Sequence, residues 1–189
     1  MDTALWLTAL TGLGGVGLGG LLSFRTQERG RLHQERQAWR ETRRLTYGAL
    51  VSAVRQYRLH VLDPRASVEV RIHANGQRLV PILDAAGVKY QELMEASHTE
   101  VNLVARGGEV IDAAHVLTTM ARRVAVARRI YGVESVPVAF DGHYFRAERA
   151  FVNSARRDLE LPEEQMGRLP DIVSEIDSDL MEAFREGGE

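Results

Sequence analysis

The sequence predicts a mainly α-helical protein, in which an N-terminal transmembrane helix continues into a cytoplasmic helical bundle that carries a small β-hairpin. Three observations predict this fold class: an uncharged run at the N-terminus, apolar residues at helical spacing in most of the remainder, and one alternating segment around an Asn-Gly pair. The 189 residues include no cysteine, which excludes disulfides, cysteine zinc sites and thiol catalysis.

The N-terminal run covers residues 3–24, which include no charged side chain and end directly before Arg25. Because a helix needs about 20 apolar residues to cross a bilayer, the run predicts a membrane span. It is longer than the apolar region of a signal peptide, which has about 7–15 residues, and no small-x-small cleavage site follows. We therefore expect an uncleaved anchor.

Six glycines lie in this run, and Gly15 and Gly19 form a G-x-x-x-G pair. Such pairs allow two membrane helices to approach closely. The pair therefore predicts a face for helix packing, either with a second copy of the chain or with a partner. The alternative is a glycine-rich span that has no partner.

Basic residues follow the run, with nine arginines and three glutamates from Arg25 to Arg58, a net charge of +6. Since positive flanks stay on the cytoplasmic side, we expect the N-terminus outside and residues 25–189 in the cytoplasm. The first arginines are predicted to contact lipid headgroups, or else to form a solvated helix face. These residues are Arg25, Arg29, Arg31 and Arg36.

The opposite end of the chain is acidic, because eleven carboxylates and two arginines between Asp158 and Glu189 give a net charge of −9. The whole chain has a net charge of only −2, so nucleic acid is not expected as a partner. Lys89 is the only lysine among 24 basic residues, a bias that we interpret as the codon usage of a GC-rich bacterial genome.

These patterns divide the chain into four parts. We predict an anchor over 1–24, a basic juxtamembrane helix over 25–62, a bundle with its hairpin insertion over 63–161, and an acidic amphipathic C-terminal helix and tail over 162–189. We expect the last helix to dock on the bundle, although an amphipathic helix can also bind a groove on a partner.

The juxtamembrane helix is predicted to end at Asp63-Pro64, because the residue before proline avoids the helical region. Alternating residues on both sides of Asn75-Gly76 then predict a β-hairpin over about 67–83 with a two-residue turn. Pro81 places its second strand at an edge. The alternative is a loop, because an isolated hairpin is barely stable.

Three bundle helices are predicted after the hairpin. The first follows Asp84, a candidate N-cap, and runs to about Ala105; the second covers Glu109 to Tyr131, with Gly132 as its cap. An extended linker over 133–139 leads to the third helix, from Asp141 to about Leu161, with Phe145 and Phe151 expected to face the core.

Two carboxylate-x-x-His pairs lie at similar distances from the turn between the first two bundle helices, a pattern that bundle di-metal sites use. At about 100° per residue, however, they point away from the apolar stripes and towards solvent. We therefore expect no metal and no cofactor, and the four residues stay as candidate ligands of a cryptic site. They are Glu95, His98, Asp112 and His115.

A second basic cluster is the segment ARRVAVARR, residues 121–129. Its four arginines, together with four on the next helix, could form an anion-binding surface. We favour the alternative that they pair with Glu148, Asp158 and the acidic tail. The eight residues are Arg122, Arg123, Arg128, Arg129, Arg146, Arg149, Arg156 and Arg157.

The sequence contains no phosphate-loop or nucleophile-elbow motif. We therefore expect a non-enzymatic interaction or scaffold protein, tethered to the cell membrane by one span, with the lipid bilayer and a protein or a second copy as its partners. One alternative is an accessory subunit or regulator of a larger membrane complex that assembles through the glycine-rich span. Another is an enzyme with a cryptic metal site in the bundle.

Overall fold

The computed structural model of the chain describes residue 31 and residues 34–74, 76, 78–162 and 173–186. The chain divides into two units, Met1–Glu41 and Thr42–Glu189. In the first unit, residues 31 and 34–41 are helical and exposed, and Arg31 forms an ion pair with Glu35 at 3.3 Å.

The predicted span 3–24, with Gly15 and Gly19, and the flanking Arg25 and Arg29 lie outside the described residues. Among the residues that are described, no helix combines the length and the apolar character needed to cross a membrane.

The second unit is mainly helical and carries a two-stranded antiparallel sheet, as predicted. Helix α1 covers residues 34–61, and its part from residue 42 onwards belongs to this unit. The other elements follow in chain order: β1 Val68–Ile72, β2 Leu79–Leu83, α2 Ala85–Val104, α3 Gly108–Tyr131, a 3-10 turn Val133–Ser135, α4 Val138–Asp158 and α5 Val173–Glu186.

Helix α3 lies at the centre of this unit and packs against α2, α4, α5 and both strands. Fourteen of its 24 residues are buried, which is more than the single apolar stripe of a surface helix provides. Ala121, Val124 and Ala127 are small or β-branched residues that let neighbouring elements pack closely on several sides. Helix α1 adds a fully buried stripe that includes Leu50, Val54 and Tyr57.

The β-hairpin is stable because one face of it packs on the helices. Val68 pairs with Leu83, and Val70 pairs with Pro81. Val68, Leu79 and Leu83 are buried in the common core, so the hairpin does not depend on strand pairing alone. The structure therefore confirms the hairpin and rejects the loop alternative.

Asp84 joins three elements where the hairpin meets α2. Its carboxylate accepts hydrogen bonds from the backbone N–H groups of Gly87 at 2.7 Å and Ser67 at 2.9 Å, and it lies 3.2 Å from His60 Nε2. The Gly87 N–H group is the largest cause that lowers the pKa of Asp84 below its usual value, followed by the Ser67 N–H group. The predicted N-cap is confirmed, and it also ties the end of α1 to the start of β1.

Gly87 is needed because the chain approaches it closely. A Cβ atom at this position would lie 2.7 Å from Leu83 Cβ and 2.8 Å from His60 Nε2. We expect Gly87→Ala to lower the free energy of unfolding by about 1–3 kcal/mol through overpacking. The matched control is Gly142→Ala in α4, where nothing lies within 4 Å; we expect it to stabilise the protein by about 0.4–1 kcal/mol. Urea unfolding followed by circular dichroism measures both changes, and equal effects would contradict the packing argument.

Helix α4 differs from its prediction in two respects. It begins at Val138 instead of Asp141, so part of the predicted linker is helical. Phe145, expected in the core, is 48% exposed, whereas its neighbour Tyr144 is buried. Neighbouring residues differ by about 100° around a helix, and the buried stripe through Phe151 runs along the Tyr144 side.

The C-terminal helix docks on the other elements of the second unit, as expected. Ile176 and Leu180 are buried, and α5 packs against α3 and β2. Asp177, next to the buried Ile176, forms an ion pair with Arg123 of α3. The docked face therefore combines apolar burial with a partly buried ion pair.

A basic cleft between the hairpin, α2 and α3

A cleft of about 340 Å³ lies between the hairpin, α2 and α3. The two helices each present one face to it, because the α2 residues follow the spacing i and i+4 and the α3 residues the spacing i, i+4, i+7 and i+8. The hairpin contributes one residue of β1, two residues of its turn and three consecutive residues of β2. We call this site the basic cleft. Its polar lining residues are Arg71, His73, Arg78, Gln91, Glu95, His115, Thr119, Arg122 and Arg123, and its apolar lining residues are Leu79, Val80 and Pro81.

The described lining of the cleft is positive, with four guanidinium groups and one carboxylate, that of Glu95. Arg122 Nη2 lies 3.1 Å from Glu95 Oε1, which also accepts a hydrogen bond from Gln91 at 2.9 Å. The Arg122–Glu95 ion pair joins α3 to α2, and Gln91 holds the same carboxylate from within α2.

Arg123 is the most buried cation of the cleft, since its side chain is only 9% exposed. It donates a hydrogen bond from Nη2 to Asp177 of α5. Its Nε atom is buried and has no hydrogen-bond partner among the described residues. A buried donor left in this condition is unfavourable.

The two arginines of the hairpin are exposed. Arg78 Nη2 lies 3.4 Å from His73 Nε2, and Arg71 forms no ion pair with a carboxylate in the described part of the chain. Guanidinium groups stay charged at all physiological pH values and present several donors in a fixed plane. The hairpin therefore brings two exposed cations to the cleft that the arginine pair of α3 also lines.

The four candidate metal ligands are only partly brought together. The His98 and His115 rings are 6.1 Å apart, but Glu95 is held by Arg122, and Asp112 is exposed and does not line the cleft. Within the described ranges, no group of three or more His, Asp or Glu side chains could hold a metal ion.

His98 is not directed to solvent as its helical angle predicted. It is half-buried, and its Nε2 atom is buried without a hydrogen-bond partner among the described residues. The contact between α2 and α3 is wider than the apolar stripe, because the His98 ring packs beside the His115 ring. Burial, and then the neighbouring His115 and Arg122, lower the pKa of His98 below its usual value of 6.5.

This pKa shift predicts a pH dependence of stability. Between the lowered pKa of folded His98 and the value of 6.5, the unfolded chain binds more protons, so the free energy of unfolding rises with pH. The contribution of His98 is complete above the unfolded pKa and is lost as the pH falls through the folded pKa. We expect His98→Gln to weaken the decrease in stability between neutral and mildly acid pH, measured by urea unfolding at several pH values. An unchanged pH profile would contradict the assignment.

The eight-arginine surface is not formed, because its members point to different places. Arg122 and Arg123 enter the cleft. Arg128 is buried and donates to the carbonyl oxygens of Asp63 and Ala66 at 2.8 and 2.7 Å, which holds the loop after α1.

The favoured alternative is pairing with Glu148, Asp158 and the tail, and within the described ranges Arg123 pairs in this way, with Asp177 of the tail. The partners of the two named carboxylates come from α1 instead: Glu148 pairs with Arg55, and Asp158 pairs with Arg43. Arg157 pairs with Glu109 of α3.

Comparison of the chain with known proteins found no relative. No family model matches the chain, and neither a curated protein nor a solved structure does so.

Proposed function

We propose that the chain is a membrane-tethered, non-enzymatic interaction protein that holds a protein partner by an anionic group in the basic cleft. The observation that carries the proposal is the convergence of four arginines from the hairpin and α3 on a cleft with one lining carboxylate. An enclosed excess of one charge attracts and orients the opposite charge.

The groups in the cleft are suited to binding. Guanidinium groups stay protonated at physiological pH, so they do not act as acids or bases. The carboxylate of Glu95 is held by Arg122 and Gln91. Paired arginine forks recognise carboxylates and phosphates through two parallel hydrogen bonds. This chemistry fits recognition of an anion and supports the interaction role.

The tether in this proposal is the uncharged run 3–24, with the N-terminus outside and residues 25–189 in the cytoplasm. Arg25, Arg29, Arg31 and Arg36 would contact anionic headgroups, at about 1 kcal/mol for each residue near the surface. Replacing both Leu13 and Leu18 by arginine should release the chain from membranes into the soluble fraction. Full retention of this variant in the membrane pellet would contradict the tether.

A second role follows from the G-x-x-x-G pair in the run. Gly15 and Gly19 would pack against another membrane helix, which would make the chain an accessory subunit or regulator of a larger membrane complex. Replacing both glycines by leucine should abolish its cross-linked assemblies in membranes. Unchanged cross-linking would remove this second role.

Co-purification in a mild uncharged detergent tests the main proposal. The full chain should retain a stoichiometric protein partner, and the double variant Arg71→Glu with Arg78→Glu should lose it. Both residues are exposed, so the fold should tolerate the change within about 0.5 kcal/mol. The control is Arg149→Glu, an exposed position on α4 that does not line the cleft. A partner that is retained equally by both variants would contradict a role of the cleft.

A further inference from the structure

We propose that the basic cleft binds a phosphate monoester on an aliphatic alcohol, such as a phosphorylated serine or threonine side chain. This inference rests on the proposed function, because it names the anionic group that the partner presents. It follows from the charge, the donors and the walls of the cleft.

The charge of the cleft matches a dianion. Four guanidinium groups face the carboxylates of Glu95, in the lining, and Asp177, which pairs with Arg123 at its edge. These six groups leave a net charge of +2. A phosphate monoester carries about −1.5 to −2 charges near pH 7, whereas a carboxylate carries only −1 and would leave one cation unbalanced.

The donors of the cleft come from two directions. Arg122 and Arg123 rise from α3, and Arg71 and Arg78 enter from the hairpin. One arginine fork binds the two oxygens of a planar carboxylate from one side, whereas a phosphate monoester offers three strong acceptor oxygens in a tetrahedral arrangement that donors from two directions can reach.

The remaining walls indicate what carries the phosphate. The volume of about 340 Å³ leaves room for more than the phosphate itself, and Leu79, Val80 and Pro81 form an apolar side. The described lining residues include no phenylalanine, tyrosine or tryptophan, so the cleft lacks the large aromatic faces on which nucleobases commonly stack. An aliphatic side chain that carries the phosphate fits these walls.

The carboxylate of Asp177 is already paired with one of the arginines that the phosphate would contact. It pairs with Arg123, while Ile176 and Leu180 hold α5 in place by burial. A bound phosphate therefore competes with this carboxylate for Arg123. Asp177→Asn keeps the size of the side chain and removes its charge, so it should tighten binding by about tenfold, the worth of one charge-assisted contact.

Titration calorimetry of the full chain in uncharged detergent tests the proposal with methyl phosphate and methyl sulfate. The two probes share their shape but differ in charge at neutral pH. Methyl phosphate should bind at one site, about tenfold more tightly than methyl sulfate, and Arg71→Glu should weaken its binding by about tenfold. Arg149→Glu should bind it like the natural chain. Equal affinity for both probes, no binding of methyl phosphate, or no effect of Arg71→Glu would each overturn the proposal.

The same variants separate this inference from the proposed function. If Arg71→Glu with Arg78→Glu loses the protein partner but the natural chain does not bind methyl phosphate, the phosphate assignment fails and the interaction role stands. If methyl phosphate binds in the cleft but the partner is retained by the variant, the phosphate site stands and the assigned role of the cleft in partner binding fails.

Discussion

Replacement of Asp158 by alanine is expected to lower the free energy of unfolding by about 3–5 kcal/mol, because it leaves a buried cation without its counter-charge. The side chains of Asp158 and Arg43 are each only 6% exposed, and Arg43 Nη1 lies 3.7 Å from Asp158 Oδ2. A charge that is removed from water and loses its partner is among the most destabilising changes in a protein.

Asp158 also accepts two hydrogen bonds that join separate parts of the second unit. Tyr47 Oη donates to its Oδ2 atom at 2.7 Å, and the Arg106 backbone N–H group donates to Oδ1 at 3.1 Å. Burial, and then the hydrogen bond to this carboxylate, raise the pKa of Tyr47 well above its usual value. One carboxylate therefore fastens the end of α4 to α1 and to the loop between α2 and α3.

Urea unfolding of the full chain in uncharged detergent measures the effect. Tyr47→Phe should lose about 1.5–3 kcal/mol, since it removes one hydrogen bond to a charged group. Asp112→Ala, at an exposed position of α3, should stay within about 0.5 kcal/mol of the natural chain. A loss below that of Tyr47→Phe for Asp158→Ala would contradict the ion pair as the main contribution.

The second large effect is expected for Phe151→Ala, which should lower the free energy of unfolding by about 3–5 kcal/mol. Phe151 has no exposed surface, and its ring meets the Tyr47 ring edge-to-face with centroids 6.0 Å apart. The substitution removes the transfer free energy of a large side chain and leaves a cavity between α1 and α4.

Phe145→Ala in the same helix is the matched control. Phe145 is 48% exposed and contacts the Arg58 guanidinium, whose central carbon lies 5.1 Å from its ring centroid. Loss of an exposed cation–π contact should lower the free energy of unfolding by about 0.5–1 kcal/mol. Similar losses of stability for both variants would contradict the structure, in which Phe151 lies on the buried face of α4 and Phe145 on its exposed face.

Periodicity predicted the elements of the second unit well, because each buried stripe depends on local spacing. The stripes through Leu50 and Tyr57 in α1 and through Leu117 and Val124 in α3 are buried as expected. The hairpin was also predicted, because Asn-Gly limits the turn types that the chain can adopt. Phe145 was assigned to the wrong face because a shift of one residue rotates a helical position by about 100°.

The cleft could not be predicted from local patterns, because its residues come from segments that meet only in the folded chain. Arg71 and His73 were visible as polar residues two apart, in β1 and directly after it, and Arg122 and Arg123 as a basic pair. Nothing in the sequence showed that these residues line one cleft. Tertiary packing likewise decides which carboxylate pairs with each arginine. The arginines that were predicted to form one surface therefore make separate contacts.

The central claim is that a protein partner binds in the basic cleft, and site-specific photo-cross-linking tests it most directly. A photoreactive residue at Gln91, which lines the cleft, should cross-link the partner of the full chain in membranes. The same residue at Leu103, 79% exposed on the same helix, should not. Cross-linking at Leu103 with none at Gln91 would contradict the account, because the partner would then bind α2 away from the arginines.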